Sequence, residues 1–207
     1  MRDDDYYQST LERLEQSYLD ADARGDLAGG SGSGGGLARW ELKRRVLAQA
    51  FDRDGTWLDV GCANGLLMET LARWTAENGL RIQPYGLDLS ARLADAARKR
   101  LPHWADRIWA GNIVTWATPM RFDYVTVIAD CVPSARRRDL VERVTARFLN
   151  PRGRMIFSIY IPRPPESPVE NPPASEVLRR FGYDVAGEAE SRIDGELKVS
   201  SAWVDRL

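Results

Sequence analysis

The chain has 207 residues, 43% of them apolar and 29% charged, and a formal net charge of −1. That length holds one α/β domain with a full core; the near-neutral charge argues against a protein that grips duplex nucleic acid by its phosphates, and no apolar run reaches the roughly 18 residues of a membrane span. Two cysteines, Cys62 and Cys131, and one histidine, His103, have neither the number nor the spacing of a zinc site or a disulfide framework, so no metal is expected.

The opening Met1-Arg2-Asp3-Asp4-Asp5 lacks the apolar core of a secretory signal, and a cytoplasmic protein is expected. Residues 5–20 read as a helix, with Tyr7, Leu11, Leu14 and Tyr18 on one stripe. Such a stripe usually faces a core; the alternative is that Tyr6, Tyr7 and Tyr18 form an aromatic lid over a cation. Eight acids against three arginines through Asp26 make the segment acidic. The run Gly29-Gly30-Ser31-Gly32-Ser33-Gly34-Gly35-Gly36 reads as a flexible linker or a loop ordered by a ligand, and no Gly-Lys-Ser/Thr follows it to make a P-loop. Residues 1–36 are therefore read as an acidic helix with a glycine-rich lid loop, preceding one domain over 37–207.

Leu37–Phe51 reads as a second helix, whose Trp40 either packs on the sheet or closes over a ligand. Trp57–Val60 is a strand, Leu66–Trp74 a helix and Ile82–Asp88 a strand. Ser90 caps a helix that runs to about Leu101, where Pro102 ends it and leaves His103 in a loop. Arg107–Ala110 and the β-rich Asp123–Ile128 follow as strands. Ser134 is expected to cap a helix through Phe148, which Asn150-Pro151-Arg152-Gly153 stops before a strand over Met155–Ile161. Strands alternating with helices imply a parallel sheet covered on both faces. Pro162–Pro173 holds six of the eleven prolines and reads as a stiff excursion. Ala174–Phe181 is helical, and Val185–Arg192 and Glu196–Val204 flank the turn Ile193-Asp194-Gly195, an antiparallel hairpin.

Three features fall at the carboxyl ends of neighbouring strands, where an open parallel sheet binds its ligand. The first is Leu58-Asp59-Val60-Gly61-Cys62-Ala63-Asn64-Gly65, a glycine turn between strand and helix. The second is Asp88, a carboxylate able to accept hydrogen bonds from ribose hydroxyls. The third is Gly111-Asn112-Ile113. A nicotinamide site would need Gly-x-Gly-x-x-Gly, and Cys62 and Ala63 after Gly61 do not supply it.

The order Asp-x-Gly-x-x-x-Gly, acidic strand end, Gly-Asn, then Phe122-Asp123-Tyr124-Val125 resembles the class I S-adenosylmethionine (SAM)-dependent methyltransferases over about residues 37–160. The resemblance implies a doubly wound, Rossmann-like seven-stranded α/β sheet of order 3-2-1-4-5-7-6 with strand seven antiparallel. It implies SAM as cofactor and S-adenosylhomocysteine as product. Carried over, Gly61, Cys62, Ala63, Asn64 and Gly65 would hold the methionine part. Asp88, with Leu89 beside it, would hold the ribose, and Gly111, Asn112 and Ile113 the adenine. Asp59 would orient the loop, and Ile128 and Ala129 would border the methyl. Ala63 stands where a glycine is common and Asn112 where an acid is common. Ala129-Asp130-Cys131-Val132-Pro133 replaces the Asp/Asn-Pro-Pro-Tyr associated with methylation of DNA bases.

A sulfonium methyl is already activated, so alignment and exclusion of water suffice without histidine or metal. The favoured expectation is N-methylation of a small cationic amine or guanidine. Asp130 would bind the cation and accept its proton, or else simply cap its loop. The alternative is O-methylation of a small acid or phenol, held by Arg163 or by Arg136-Arg137-Arg138, otherwise a solvated face. A non-catalytic SAM sensor or scaffold is the reading of another class. Cys62 and Cys131 read as small buried residues or, at neighbouring strand ends, as a redox pair. The expected partner is a small-molecule acceptor, with neither nucleic acid nor membrane; the oligomeric state is not specified by the sequence.

Overall fold

Short strands buried on both faces, separated by helices with one apolar face, set the layering of this chain. The computed structural model describes residues 3–31, 36–161 and 172–206. Most of the proline-rich excursion, including Arg163, and four residues of the glycine run therefore lie outside the described residues.

In chain order the elements are α1 (Asp3–Ala23), α2 (Gly36–Arg44), β1 (Gly55–Val60), α3 (Leu66–Glu77), β2 (Ile82–Asp88), α4 (Ala91–Arg100) and β3 (Ile108–Ala110). They continue with β4 (Phe122–Ile128), α5 (Arg137–Arg147), β5 (Leu149–Tyr160), α6 (Ala174–Arg180), β6 (Gly187–Ile193) and β7 (Glu196–Asp205). The strands form one seven-stranded sheet of order β3-β2-β1-β4-β5-β7-β6. The first five pair in parallel, while β7 runs antiparallel to both β5 and β6. This is the topology expected from the sequence.

Side chains alternate between two apolar layers. Leu58, Val125, Val127 and Phe157 pack with Leu140, Val141 and Val144 of α5 and Leu178 of α6. Trp57, Tyr124, Ile156 and Trp203 face the other way, onto Trp40, Met68, Leu71, Trp74 and Ala97 of α2, α3 and α4. Trp40 is thus a packing residue, 2% exposed.

Three expectations change. The second helix is α-helical only to Arg44 and continues as a 3₁₀ turn over Arg45–Ala50. The tighter pitch puts Leu47 and Ala50, three apart, on one buried side. Ser134 does not cap α5: Ser134–Arg136 form their own 3₁₀ turn, closed by Arg136 N–H donating to the Pro133 carbonyl at 2.8 Å. Finally, β5 starts at Leu149, ahead of the expected Met155, and the register shift opposite Phe122 and Tyr124 absorbs the Asn150–Gly153 segment.

Tyr124 fixes the entry to β1. Its hydroxyl donates to Asp52 Oδ1 at 2.7 Å and accepts from the backbone N–H groups of Asp52 and Arg53 at 3.2 and 3.1 Å. Tyr124→Phe keeps the ring and strips these donors of their acceptor. It should lower unfolding free energy by about 1–3 kcal/mol, measured by urea denaturation; a change below about 0.5 kcal/mol would show that water replaces the hydroxyl.

Candidate active site

The turn after β1 is built from backbone that runs left-handed three times, at Gly61 (φ 83°), Ala63 (φ 48°) and Gly65 (φ 76°). Two of these are glycines, which adopt such angles freely. Ala63 has a Cβ, and its strained conformation is held by a hydrogen bond: its N–H donates to Asp88 Oδ2 at 2.7 Å. Gly61 and Cys62 donate N–H groups to the Leu87 carbonyl at 2.7 and 3.2 Å, tying the turn to the end of β2. Gly65 starts α3 and packs closely, since a Cβ there would lie 2.8 Å from Leu101 Cδ1.

Two carboxylates are buried beside this turn. Asp88 Oδ1 accepts the Ser90 N–H at 2.8 Å while Oδ2 holds Ala63. Burial pushes its pKa up to about 6, against the pull of those backbone N–H groups. Asp59 sits one strand over. Its Oδ1 accepts from Thr126 Oγ1 at 2.9 Å, and Thr126 in turn accepts from Trp57 Nε1 at 3.0 Å. Asp59 Oδ2 is buried without a hydrogen-bond partner. Burial raises the Asp59 pKa to about 7; the nearby Asp88 adds to the rise, and Thr126 and Arg44 oppose it.

Above the carboxyl ends of the strands lies a cleft of about 660 Å³, a size suited to a cofactor-sized ligand. Gly61, Ala63, Asp88, Leu89, Gly111, Asn112, Ile113, Ile128 and Asp130 line it. A smaller pocket reaches inward, lined by Asp59, Cys62 and Asn64 together with Arg44, Trp40 and Tyr160. Gly65 and the fully buried Ala129 line neither and act through packing. The buried Asn64 is held from α1 and the segment after it: its amide donates to Asp22 Oδ1 at 2.9 Å and to the Leu27 carbonyl at 3.0 Å. Asn112 uses its side-chain oxygen to accept the Val114 N–H at 2.9 Å.

The roof of the cleft is α1. Tyr7, Leu11, Leu14 and Tyr18 line it, and Ala21 is the buried residue of this helix. The apolar stripe is therefore a cleft wall; it does not reach a core. Polar contacts hold the helix down. Tyr6 donates to the Asp130 carbonyl at 3.0 Å, Glu15 accepts from Ser90 and pairs with Arg92 at 2.8 Å, and Asp22 holds Asn64. Gly30 lies under Tyr18, where a Cβ would come within 2.4 Å of the Tyr18 Cα. At least Gly29–Ser31 of the glycine run is thus a packed 3₁₀ turn.

Asp130 has a side chain 65% exposed, and its carboxylate pairs with Arg137 at 3.2 Å. Cys62 and Cys131 pack into opposite apolar layers of the sheet, and burial lifts both thiols, that of Cys131 to about 12. Neither is poised as a thiolate. His103 is exposed beside Trp104. Among the described residues, no cluster of His, Cys, Asp or Glu has the makings of a metal site, and no helix is long and apolar enough to cross a membrane.

Sequence reasoning missed Thr126, Tyr160 and Arg44. The Arg44 guanidinium lies 4.7 Å from the Trp40 ring centroid and 4.8 Å from that of Tyr160, and the residue is 7% exposed. A cation at i+4 from a tryptophan was a visible signal; Tyr160, from the far end of β5, was not.

No protein-family model and no curated protein matches this chain. Solved structures do. Magnesium protoporphyrin IX methyltransferase from Synechocystis PCC 6803, with bound SAM, is 14% identical, with a TM-score of 0.64 over 98% of this chain and 97% of its own. The 1,6-didemethyltoxoflavin-N1-methyltransferase of Burkholderia thailandensis, with bound 1,6-didemethyltoxoflavin and S-adenosylhomocysteine, is 15% identical, with a TM-score of 0.63 over 100% of this chain and 91% of its own. A SAM-dependent methyltransferase from Aquifex aeolicus is 16% identical, with a TM-score of 0.57 over 82% and 93%.

The raised carboxyls have a measurable consequence. Asp59 and Asp88 ionise at about 7 and 6 in the folded chain, against about 4 when unfolded. The folded state therefore binds more protons than the unfolded state through this window, and these two groups make stability fall as pH rises from about 4 to 7. Asp59→Asn should flatten the fall between about pH 4 and 7, read by urea unfolding at each pH. An unchanged slope would mean that Asp59 does not titrate there.

Proposed function

We propose that this chain, built on the class I SAM-dependent methyltransferase fold, moves a methyl group from SAM to a small molecule held in the cleft beneath α1. The observation that carries the reading is the inner pocket, where the unpartnered buried oxygen of Asp59 shares the lining with Arg44. One anion and one cation in the lining of one pocket suit the zwitterionic amino-acid end of SAM, its ammonium toward Asp59 and its carboxylate toward Arg44. Each Asp88 oxygen accepts one backbone N–H and keeps a lone pair, so the carboxylate can still receive a ribose diol. Gly61 and Ala63 bring backbone close to the ligand, and Gly111, Asn112 and Ile113 offer the adenine wall. Bound SAM would supply a methyl activated by its sulfonium, and S-adenosylhomocysteine would be the product.

The chain's own part is to orient and to exclude water. Ile128, Tyr160 and Tyr18 of α1 line both the smaller pocket and the cleft, where apolar and aromatic walls favour alignment and exclusion of water. We assign residues 1–36 to this lid and 37–207 to the methyltransferase domain. A roofed cleft fits a small molecule better than a nucleic acid.

An amine acceptor would look to Asp130 for its cation site and its base. That carboxylate is mostly exposed and already paired with Arg137, so its charge is screened and shared. We assign Asp130 to positioning, through the carbonyl that receives Tyr6.

The test is transfer from radiolabelled SAM into separate pools of amines and guanidines, acids and phenols, and RNA, with S-adenosylhomocysteine binding measured by calorimetry. Asp88→Ala and Arg44→Gln should each weaken S-adenosylhomocysteine binding by roughly 10–100-fold, the worth of one or two charge-assisted hydrogen bonds. Asp130→Asn should leave turnover within about fivefold of wild type, as for an exposed ion pair. Absence of any S-adenosylhomocysteine binding would sink the assignment. A loss above 100-fold in Asp130→Asn would return that residue to the chemistry.

A further inference from the structure

The roof brings a carboxylate of its own to the cleft, and Ser90 ties it to the one on the sheet. Glu15 lies on α1 between Leu11 and Tyr18, one turn from each, on the helix face that lines the cleft. Its side chain is 17% exposed. Arg13 also lines the cleft but stands two residues away, a spacing that does not bring helix side chains together.

Ser90 uses all of its polar groups except its carbonyl at this corner. Its N–H donates to Asp88 Oδ1 at 2.8 Å, its Oγ accepts the Leu93 N–H at 3.1 Å, and its hydroxyl proton goes to Glu15 Oε2. The other Glu15 oxygen accepts from Arg92 Nη1 at 2.8 Å. One serine thus holds two carboxylates from different elements, the end of β2 and the roof. Placing them together is costly: Asp88 is 7% exposed, and the charge of Glu15 adds to the burial that lifts its pKa to about 6.

Each of the four carboxylate oxygens accepts one hydrogen bond from the chain, which leaves it a lone pair. A ligand that donates from two neighbouring points and brings no negative charge suits such a corner, and a vicinal diol does both. The neighbouring pocket gives an independent sign that this end of the sheet receives a ligand, since the buried Oδ2 of Asp59 there has no hydrogen-bond partner.

We propose that Glu15 and Asp88 share the two hydroxyls of the cofactor ribose, one each, which makes Glu15 a cofactor-specificity residue carried by the roof. This deepens the methyltransferase reading, on which it rests for the identity of the ligand, and goes beyond the assignment of the ribose to Asp88 alone. The bound cofactor would then join α1 to the sheet by a contact of its own, beside the latches to Ser90 and Asn64.

The experiment measures binding of S-adenosylhomocysteine and of its 2′-deoxy and 3′-deoxy analogues to the full chain by calorimetry. Wild type should bind each deoxy analogue roughly tenfold or more weakly than the parent, because the missing hydroxyl leaves one carboxylate unmatched. In Glu15→Ala one of these penalties should shrink to about threefold or less while the other persists. Arg92→Met removes an exposed partner of Glu15 and should leave both ratios as in wild type; a shift there would trace the ratios to the latch and overturn the proposal. A purely structural Glu15 would weaken all three ligands alike, so unchanged ratios in Glu15→Ala would also overturn it. Loss of both penalties together would do the same, since Glu15 would then act through Asp88. Wild type that binds either deoxy analogue as tightly as the parent would overturn it without any variant. S-adenosylhomocysteine bound with unchanged ratios removes this inference alone; no binding in wild type removes the methyltransferase reading with it.

Discussion

The burial of the Asp59 carboxylate at the end of a central strand is the constraint around which the site is arranged. A charge there is expensive, and the sheet supplies only part of its solvation, through the Trp57–Thr126–Asp59 relay across β1 and β4. Asp88, one strand away, is buried as well and adds repulsion. Parallel strands fixed on both faces keep the two carboxylates in place despite this cost. The geometry of the site is thus set by the sheet, and the flanking loops adapt to it: the turn at Ala63 holds its strained angle because Asp88 receives its N–H.

The roof is held by a different kind of interaction. With Ala21 the buried residue of α1, the helix draws little from the core. Its attachments are hydrogen bonds and ion pairs to the same loops that frame the cleft: Tyr6 to the end of β4, Glu15 to the start of α4, Asp22 to Asn64 in the glycine turn. Such contacts exchange with water at small net cost, whereas buried apolar contacts do not. The helix shares one of these latches, Asp22 on Asn64, with the turn that would hold a cofactor. An element that must let a ligand in has reason to be fastened this way.

How much of this was legible in the sequence follows from which interactions are local. The glycine turn, Asp59 and Asp88 sit in contiguous motifs whose spacing carries the information, and the sheet order came through the family resemblance those motifs carry. The hairpin of β6 and β7 was visible from Asp194-Gly195, both at positive φ. The stripe Tyr7–Tyr18 was visible as apolar, but an apolar stripe looks the same whether it meets a core or a cleft. Asn64 was visible as a loop residue, yet its amide is claimed by Asp22 from 42 positions away. The roles of Thr126 and Arg44 depend on pairing between distant segments, which no local pattern encodes. The expected cap at Ser134 failed to local competition: the Pro133 carbonyl had already taken the Arg136 N–H.

Among the described residues, three buried side-chain atoms lack a hydrogen-bond partner: Asp59 Oδ2, Arg39 Nε and Arg100 Nη2. Native folds leave few such atoms, and each asks for a reason. Arg100 is explained by structure, since its Nε holds the Asn64 carbonyl and its Nη1 meets Glu69, fastening the glycine turn to α4. The other two are not explained in that way. They carry opposite charge and come from unrelated elements: Asp59, at the end of β1, lines the smaller pocket, and Arg39, on α2, lines the cleft. A fold selected for stability alone would have capped them or replaced them with apolar groups. Their persistence in the linings of two neighbouring pockets suits groups whose partners arrive from solution.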